Sequence, residues 1–272
     1  MAVPCGNLRR SYDNIHGLSS VGPQTESIAS EREFADPGIR HRIGLIELAT
    51  AETAERDFHA MLPDGALFHT ARVLNENPVT LENLRAHRGL IAEAAAQLVP
   101  GVPLDVVCYD CTSGTVANGY EAIAEEVHRV LPGVPVVTPV TAAIAALGAL
   151  GVRRLSVLTP YPEEVNAAVG AYLAEHGFEV LNVASFEIES DIDMARLTPE
   201  SIRRAAVEIC AADADGLFIS CTALRAAEVI DAIEADLGRP VVSSIQAEFW
   251  QSLRVAGCEE PIEGYGTLLR DH

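Results

Sequence analysis

Beyond residue 38 the hydrophobic positions fall into eight short, nearly unbroken runs. They are Ile43 to Ile46, Ala66 to Val73, Leu104 to Val107, Val134 to Val137, Leu155 to Leu158, Phe178 to Phe186, Gly216 to Ile219 and Pro240 to Val242. Between them lie longer stretches in which apolar residues recur every three or four positions. A strand that is apolar on both sides is buried on both faces, so the pattern predicts parallel sheets covered by helices, an α/β fold. The helix boundaries carry their own signals. Thr80 is placed to cap a helix whose apolar stripe includes Leu84, Ile91, Ala95 and Leu98. Pro162 suits a first helical position, Glu163 and Glu164 suit a first turn, and Gly177 suits the exit. Thr198-Pro199-Glu200 repeats that start signal.

Eight strand–helix units fit either a closed eight-fold barrel or a duplicated open sheet. The third run ends in Cys111-Thr112 and the seventh in Cys221-Thr222, while the fourth and eighth read Pro135-Val-Val-Thr138 and Pro240-Val-Val-Ser243. The cysteines are 110 positions apart and the prolines 105, so the halves match apart from loop length. This favours two similar α/β domains facing each other. Residues 1–38, rich in Ser, Asn, Gly and Glu without sustained periodicity, read as an extension.

Composition narrows the function classes. With 49% hydrophobic residues in 272, the chain can bury a large core, which a disordered protein cannot. A net charge of −20 argues against nucleic acid or an anionic membrane surface as partner. No apolar run approaches the roughly 18 residues that span a bilayer, and residues 1–37 show no apolar core of a secretory signal. Six cysteines (Cys5, Cys108, Cys111, Cys210, Cys221 and Cys258) do not make a disulfide framework at this length. The expected location is the reducing cytoplasm.

In a parallel sheet, ligands bind beyond the carboxyl ends of the strands, where Cys111 and Cys221 both fall. Cys111-Thr112-Ser113-Gly114-Thr115 offers backbone N–H groups, hydroxyls and a permissive glycine at a helix start, a combination suited to a carboxylate or oxyanion. Cys221-Thr222 offers a smaller version. A thiol at a helix N-terminus is expected to titrate below its usual value of about 8.5. Cys108, Cys210 and Cys258 read as small buried hydrophobes. Cys108 and Cys111 have dithiol spacing, but Cys108 lies within the apolar strand. The eight histidines show no paired ligand spacing, and His59, His128 and His176 read as solvated helix positions. No G-x-G-x-x-G follows the first strand, and there is no Walker sequence or G-x-S-x-G elbow. No metal or cofactor is therefore expected. Tyr161 closes the fifth run. Its hydroxyl either donates to a substrate carboxylate, or the ring caps the following helix or packs against Phe249 and Trp250.

Five landmarks in order resemble the aspartate/glutamate racemase superfamily, in its branch of maleate cis-trans isomerases and arylmalonate decarboxylases. They are Cys111 to Thr115, Gly151 to Tyr161, Ser220 to Arg225, Pro240 to Ser244 and Gly264-Tyr-Gly266. The resemblance runs from about Arg42 to Leu269. Arg42 to Thr50 with Glu55 to Phe58 look closest to the ectoine-utilisation subgroup. The resemblance implies two flavodoxin-like domains, 39–138 plus 245–272 and 139–244, related by a pseudo-two-fold axis, with the active site in the cleft between them. It implies catalysis without metal or organic cofactor, with Cys111 and Cys221 in the two cysteine positions. Thr112 and Ser113 would form a dioxyanion pocket, Tyr161 would contact substrate, and Thr222 would lend its backbone N–H. Two departures stand out. The isomerases carry Pro-Ser-Ser-Asn after the first strand, whereas this chain has Leu48-Ala-Thr-Ala51. The decarboxylases have glycine where this chain has Cys111.

The expectation is a cofactor-independent isomerase or racemase acting on a small carboxylic acid, its two thiols serving opposite faces. A decarboxylase using Cys221 as proton donor is the alternative enzyme, and a non-catalytic small-acid binder is the alternative of another class. The only partner expected is the small carboxylate, and self-association into a homo-oligomer stays open.

Overall fold

The computed structural model describes residues 33–272, of which Gly38–His272 form one unit. The extension read over 1–38 lies, up to residue 32, outside the described residues. All eight apolar runs are strands. β1 (His41–Leu48), β2 (Ala66–Val73), β3 (Val106–Tyr109) and β4 (Val136–Val137) form one sheet. β5 (Arg154–Thr159), β6 (Glu179–Ser185), β7 (Gly216–Ile219) and β8 (Val241–Ser243) form the other. Every pairing is parallel, and the orders β2-β1-β3-β4 and β6-β5-β7-β8 are the same pattern twice. Two open sheets exclude the barrel.

The continuous apolar runs are explained by burial: β3 and β7 have no exposed residue, because helices cover both faces. The repeat extends to the caps. Thr138 just after β4 and Ser243 at the end of β8 each form a reciprocal capping box, with Thr141 and Gln246 three residues on. Thr198 caps the helix Pro199–Ile209 as read, accepting from the Ser201 N–H. Thr80 also caps as read, accepting from the Asn83 N–H. The single helix expected after it is two, Leu81–Ala86 and Arg88–Ala96, meeting at His87. No helix among the described residues is long and apolar enough to cross a membrane.

The helix Ser244–Val255 leaves β8 and packs on β3, β4 and the helices Ala54–Met61 and Pro139–Ala149, so it ties the two sheets together. Phe249 on that helix meets Phe58 edge-on, with ring centroids 5.1 Å apart. In each sheet the chain reverses its direction of strand addition between the two central strands, β1/β3 and β5/β7. That switch is where a doubly wound sheet leaves a crevice at its carboxyl edge.

Candidate active site

Both crevices open into one cavity. The carboxyl ends of the four central strands and the turns that follow them line it: Leu48 at the end of β1, Cys111, Thr112 and Ser113 after β3, Tyr161 after β5, and Cys221 and Thr222 after β7. All six residues singled out from the sequence therefore meet, although Cys111 and Cys221 are 110 positions apart. Asn75, Glu76, Val79, Asn83, Leu84, His87 and Asp191 complete the wall. Cys108, Cys210 and Cys258 lie outside it. The wall closes tightly, leaving a cavity of about 20 Å3, room for about one ordered water. The segment between β2 and Thr80 is the part least covered, with Leu74, Glu76, Asn77 and Pro78 exposed.

The two turns are joined directly. The Ser244 hydroxyl accepts from Thr112 Oγ1 at 2.9 Å and from the Cys221 N–H at 3.0 Å. Thr222 Oγ1 donates to the Asp110 carbonyl at 3.3 Å. Thr53 Oγ1 donates to the Ala223 carbonyl at 3.1 Å.

Each sulfur has one backbone N–H and one or more hydroxyls around it. Cys111 is the N-cap of the helix Thr112–Asn118, and its Sγ accepts from the Gly114 N–H at 3.2 Å. Ser113 Oγ lies 3.9 Å away, and the Tyr109 hydroxyl lies alongside. Gly114 is required there, since a Cβ would stand 2.6 Å from Tyr109 Oη and 2.8 Å from Cys111 Sγ. Cys221 receives the Ala223 N–H and the Tyr161 hydroxyl. Its backbone φ is +104°, a conformation that costs a non-glycine residue about 1–3 kcal/mol and persists where surroundings impose it. Tyr161 is thus a lining residue beside Cys221, and Pro162, not its ring, is the N-cap of the next helix.

The expected lowering of the thiol pKa values is overturned. Burial pushes Cys111 up to about 12, and Asp191 and Asp110 add to it, against the Gly114 N–H and Ser113 hydroxyl. Cys221 moves the same way, by burial first and Asp191 second. Removing a thiolate from water costs more than one N–H returns, so burial favours the protonated form of both sulfurs.

Several groups here were not found from the sequence. His87, buried between its two helices, bonds Tyr109 Oη through Nδ1 at 3.0 Å. Burial lowers its pKa to about 4, so it is neutral at pH 7. Outside the lining, Asp110, Glu248 and Glu47 form a buried carboxyl cluster. Burial raises all three; repulsion from Asp110 adds to it at Glu47 and Glu248, and repulsion from Asp191 and Asp57 adds to it at Asp110. Arg72 reaches Glu47 at 3.0 Å. Asp191, also raised by burial, accepts from the Thr50 hydroxyl. Sequence offered one hint of these, a carboxylate wedged at 110 between an apolar strand and a cysteine.

Comparison with known proteins agrees with this geometry. The chain is 38% identical over 147 residues to the arylmalonate decarboxylase of Bordetella bronchiseptica, a match covering 52% of this chain and 60% of that protein's length. It is 26% identical over 244 residues to the maleate isomerase of Pseudomonas putida, covering 84% of this chain and 97% of that protein. The crystal structure of a maleate isomerase from Pseudomonas putida S16 superposes with a TM-score of 0.79 at 26% identity, covering 85% of this chain and 98% of that one. A liganded double mutant of arylmalonate decarboxylase gives 0.76 at 29% identity, covering 85% and 100%. Residues 90–269 match the family described as arylmalonate decarboxylase, and with two parallel sheets of the same order flanking one cleft, the chain belongs to that family.

Proposed function

We propose that the protein is a cofactor-independent isomerase or racemase of a small carboxylic acid, working with Cys111 and Cys221 as an opposed pair. One observation carries the reading: two thiols from equivalent turns of a repeated fold line one cavity, each beside a backbone N–H and a hydroxyl. Four maleate isomerases among the relatives add support.

In the racemase form, one sulfur as thiolate takes the α-proton of the bound acid and becomes a thiol. The opposite thiol gives its proton to the other face and becomes the thiolate, so the pair ends with its proton exchanged. The enediolate between them would be held by donors from Thr112, Ser113, Tyr161 and the Thr222 N–H, where charge grows on the carboxylate oxygens. In the isomerase form, a thiolate adds to the double bond, the new single bond rotates, and expulsion of the thiolate gives the trans acid. The Gly114 and Ala223 N–H groups favour the thiolate but are outweighed by burial, so ionisation needs a further contribution that substrate binding would supply.

A decarboxylase is the second reading, favoured by the 38% identity to an arylmalonate decarboxylase. There Cys221 alone would protonate the enediolate after carbon dioxide leaves, and Cys111 would be dispensable. Candidate acids incubated in heavy water with wild type, Cys111→Ala and Cys221→Ala separate the two. The two-thiol reading expects both variants to lose net interconversion, by about 10²–10⁴-fold, and to label opposite enantiomers. Near wild-type turnover by Cys111→Ala would end it and leave the decarboxylase.

A further inference from the structure

The cavity wall between the two thiols carries a carboxylate that a pocket for dicarboxylic acids would be expected to avoid. Asp191 is 7% exposed and lines the cavity. Among the described residues only Thr50 donates to its carboxylate, through the Thr50 hydroxyl to Oδ2. That hydroxyl accepts in turn from Asn75 Nδ2 at 2.8 Å, and the Asp191 N–H donates to Asn77 Oδ1 at 3.0 Å. Segments from both sheets therefore hold the carboxylate in place. The other charged residue of the wall, Glu76, is also acidic. No Arg or Lys is among the lining residues, and His87 is neutral. A dianion entering here brings two negative charges towards two more.

Resting on the two-thiol reading, we propose that Asp191 receives a substrate ammonium group, so that the cleft takes an amino-substituted carboxylic acid and discriminates against acids lacking the amino group. The carboxylate end faces the Thr112–Ser113 turn and the ammonium faces Asp191. The arrangement also meets the difficulty left by the buried thiols. Asp191 is among the charges that favour the protonated form of both sulfurs. An ammonium paired with it cancels that charge and, being cationic beside both sulfurs, favours the thiolate. Substrate binding would then ionise the thiol that the substrate needs. An ammonium on the α-carbon also makes the α-proton easier to remove.

Matched acids that differ by one amino group test this by calorimetric titration of the wild-type protein: propionate against alanine, and pentanoate against norvaline and 5-aminopentanoate. Binding of at least one amino acid tighter than its parent acid by roughly 10–100-fold is expected, the range of a charge-assisted hydrogen bond. Asp191→Asn should abolish that preference. Parent acids binding as tightly as their amino counterparts, or no binding by any of them, overturns the proposal without any variant having to fold. A preference that survives in folded Asp191→Asn overturns it as well. Repeating the titrations on Cys111→Ala/Cys221→Ala keeps the two readings apart. Ammonium recognition that persists there, alongside normal turnover by either single cysteine variant, would leave Asp191 assigned and remove the thiol pair.

Discussion

Replacing Glu47 with Gln tests whether the buried carboxyl cluster is protonated in the native state. The Glu47 side chain is fully buried, and burial with help from Asp110 raises its pKa from 4.5 to about 8, despite Arg72. Because the native value lies above the unfolded one, the folded state keeps a proton that the unfolded chain gives up. Stability is therefore full below pH 4.5, falls as pH rises from 4.5 to 8, and is level above that. At about 1.36 kcal/mol per pH unit the ceiling for this window is about 5 kcal/mol. Arg72 is partly exposed and the neighbouring carboxyls titrate together, so about 2–4 kcal/mol is the working expectation. Gln keeps the shape and cannot ionise. Glu47→Gln should match wild type within about 1 kcal/mol at pH 5 and exceed it by about 2–4 kcal/mol at pH 8.5. At this chain length that is a Tm difference of roughly 4–16 °C. Urea and thermal melts across pH 5–9 measure it. Parallel stability curves for the two proteins would refute the reasoning, and a variant weaker at every pH would mean that an ionised Glu47–Arg72 pair stabilises the fold.

The strain at Cys221 predicts that Cys221→Gly is more stable than Cys221→Ala by about 1 kcal/mol in urea melts, since only glycine relaxes a φ of +104°; equal stability would show the backbone to be unstrained. Tyr109→Phe removes the partner of buried His87 Nδ1 and should cost about 1–3 kcal/mol of stability. It should also raise the pH at which Cys111 is alkylated while leaving Cys221 unchanged, read by mass spectrometry of the two peptides.

The strands were legible because parallel strands buried on both faces must be apolar throughout, and that signal does not depend on their neighbours. The duplication was legible for a related reason: the same turn chemistry recurs at Cys111 and Cys221 and at Thr138 and Ser243. The helix after Thr80 was misread as continuous because periodicity registers Leu84, Ile91 and Ala95 but not the purpose of His87. Its ring, at the junction of the two helices, is buried and bonds Tyr109. The thiol pKa values were misjudged for a similar reason. A helix N-terminus is a local feature visible in Cys111-Thr-Ser-Gly, whereas the desolvation that outweighs it comes from the burial that the whole fold imposes. Asp191 belongs to no motif at all. It matters only because Thr50, Asn75 and Asn77, more than 100 positions earlier, hold it against the cysteines.

The two cysteines occupy equivalent places in the repeat but are held by different means. Cys111 sits in extended backbone as an ordinary N-cap, so its sulfur takes the N–H three residues on at no conformational cost. Cys221 has no regular helix behind it. Its N–H is fixed by Ser244, the next residue but one is fixed through Thr53, and the strained φ is what remains when both are satisfied. Ser244 in turn orients Thr112 on the first turn. The geometry of each thiol is thus set partly by residues of the other half, and neither sheet carries a complete site. Sequence changes at Ser244 or Thr53 should therefore disturb Cys221 more than Cys111, because the strained turn loses a constraint while the capped one keeps its helix.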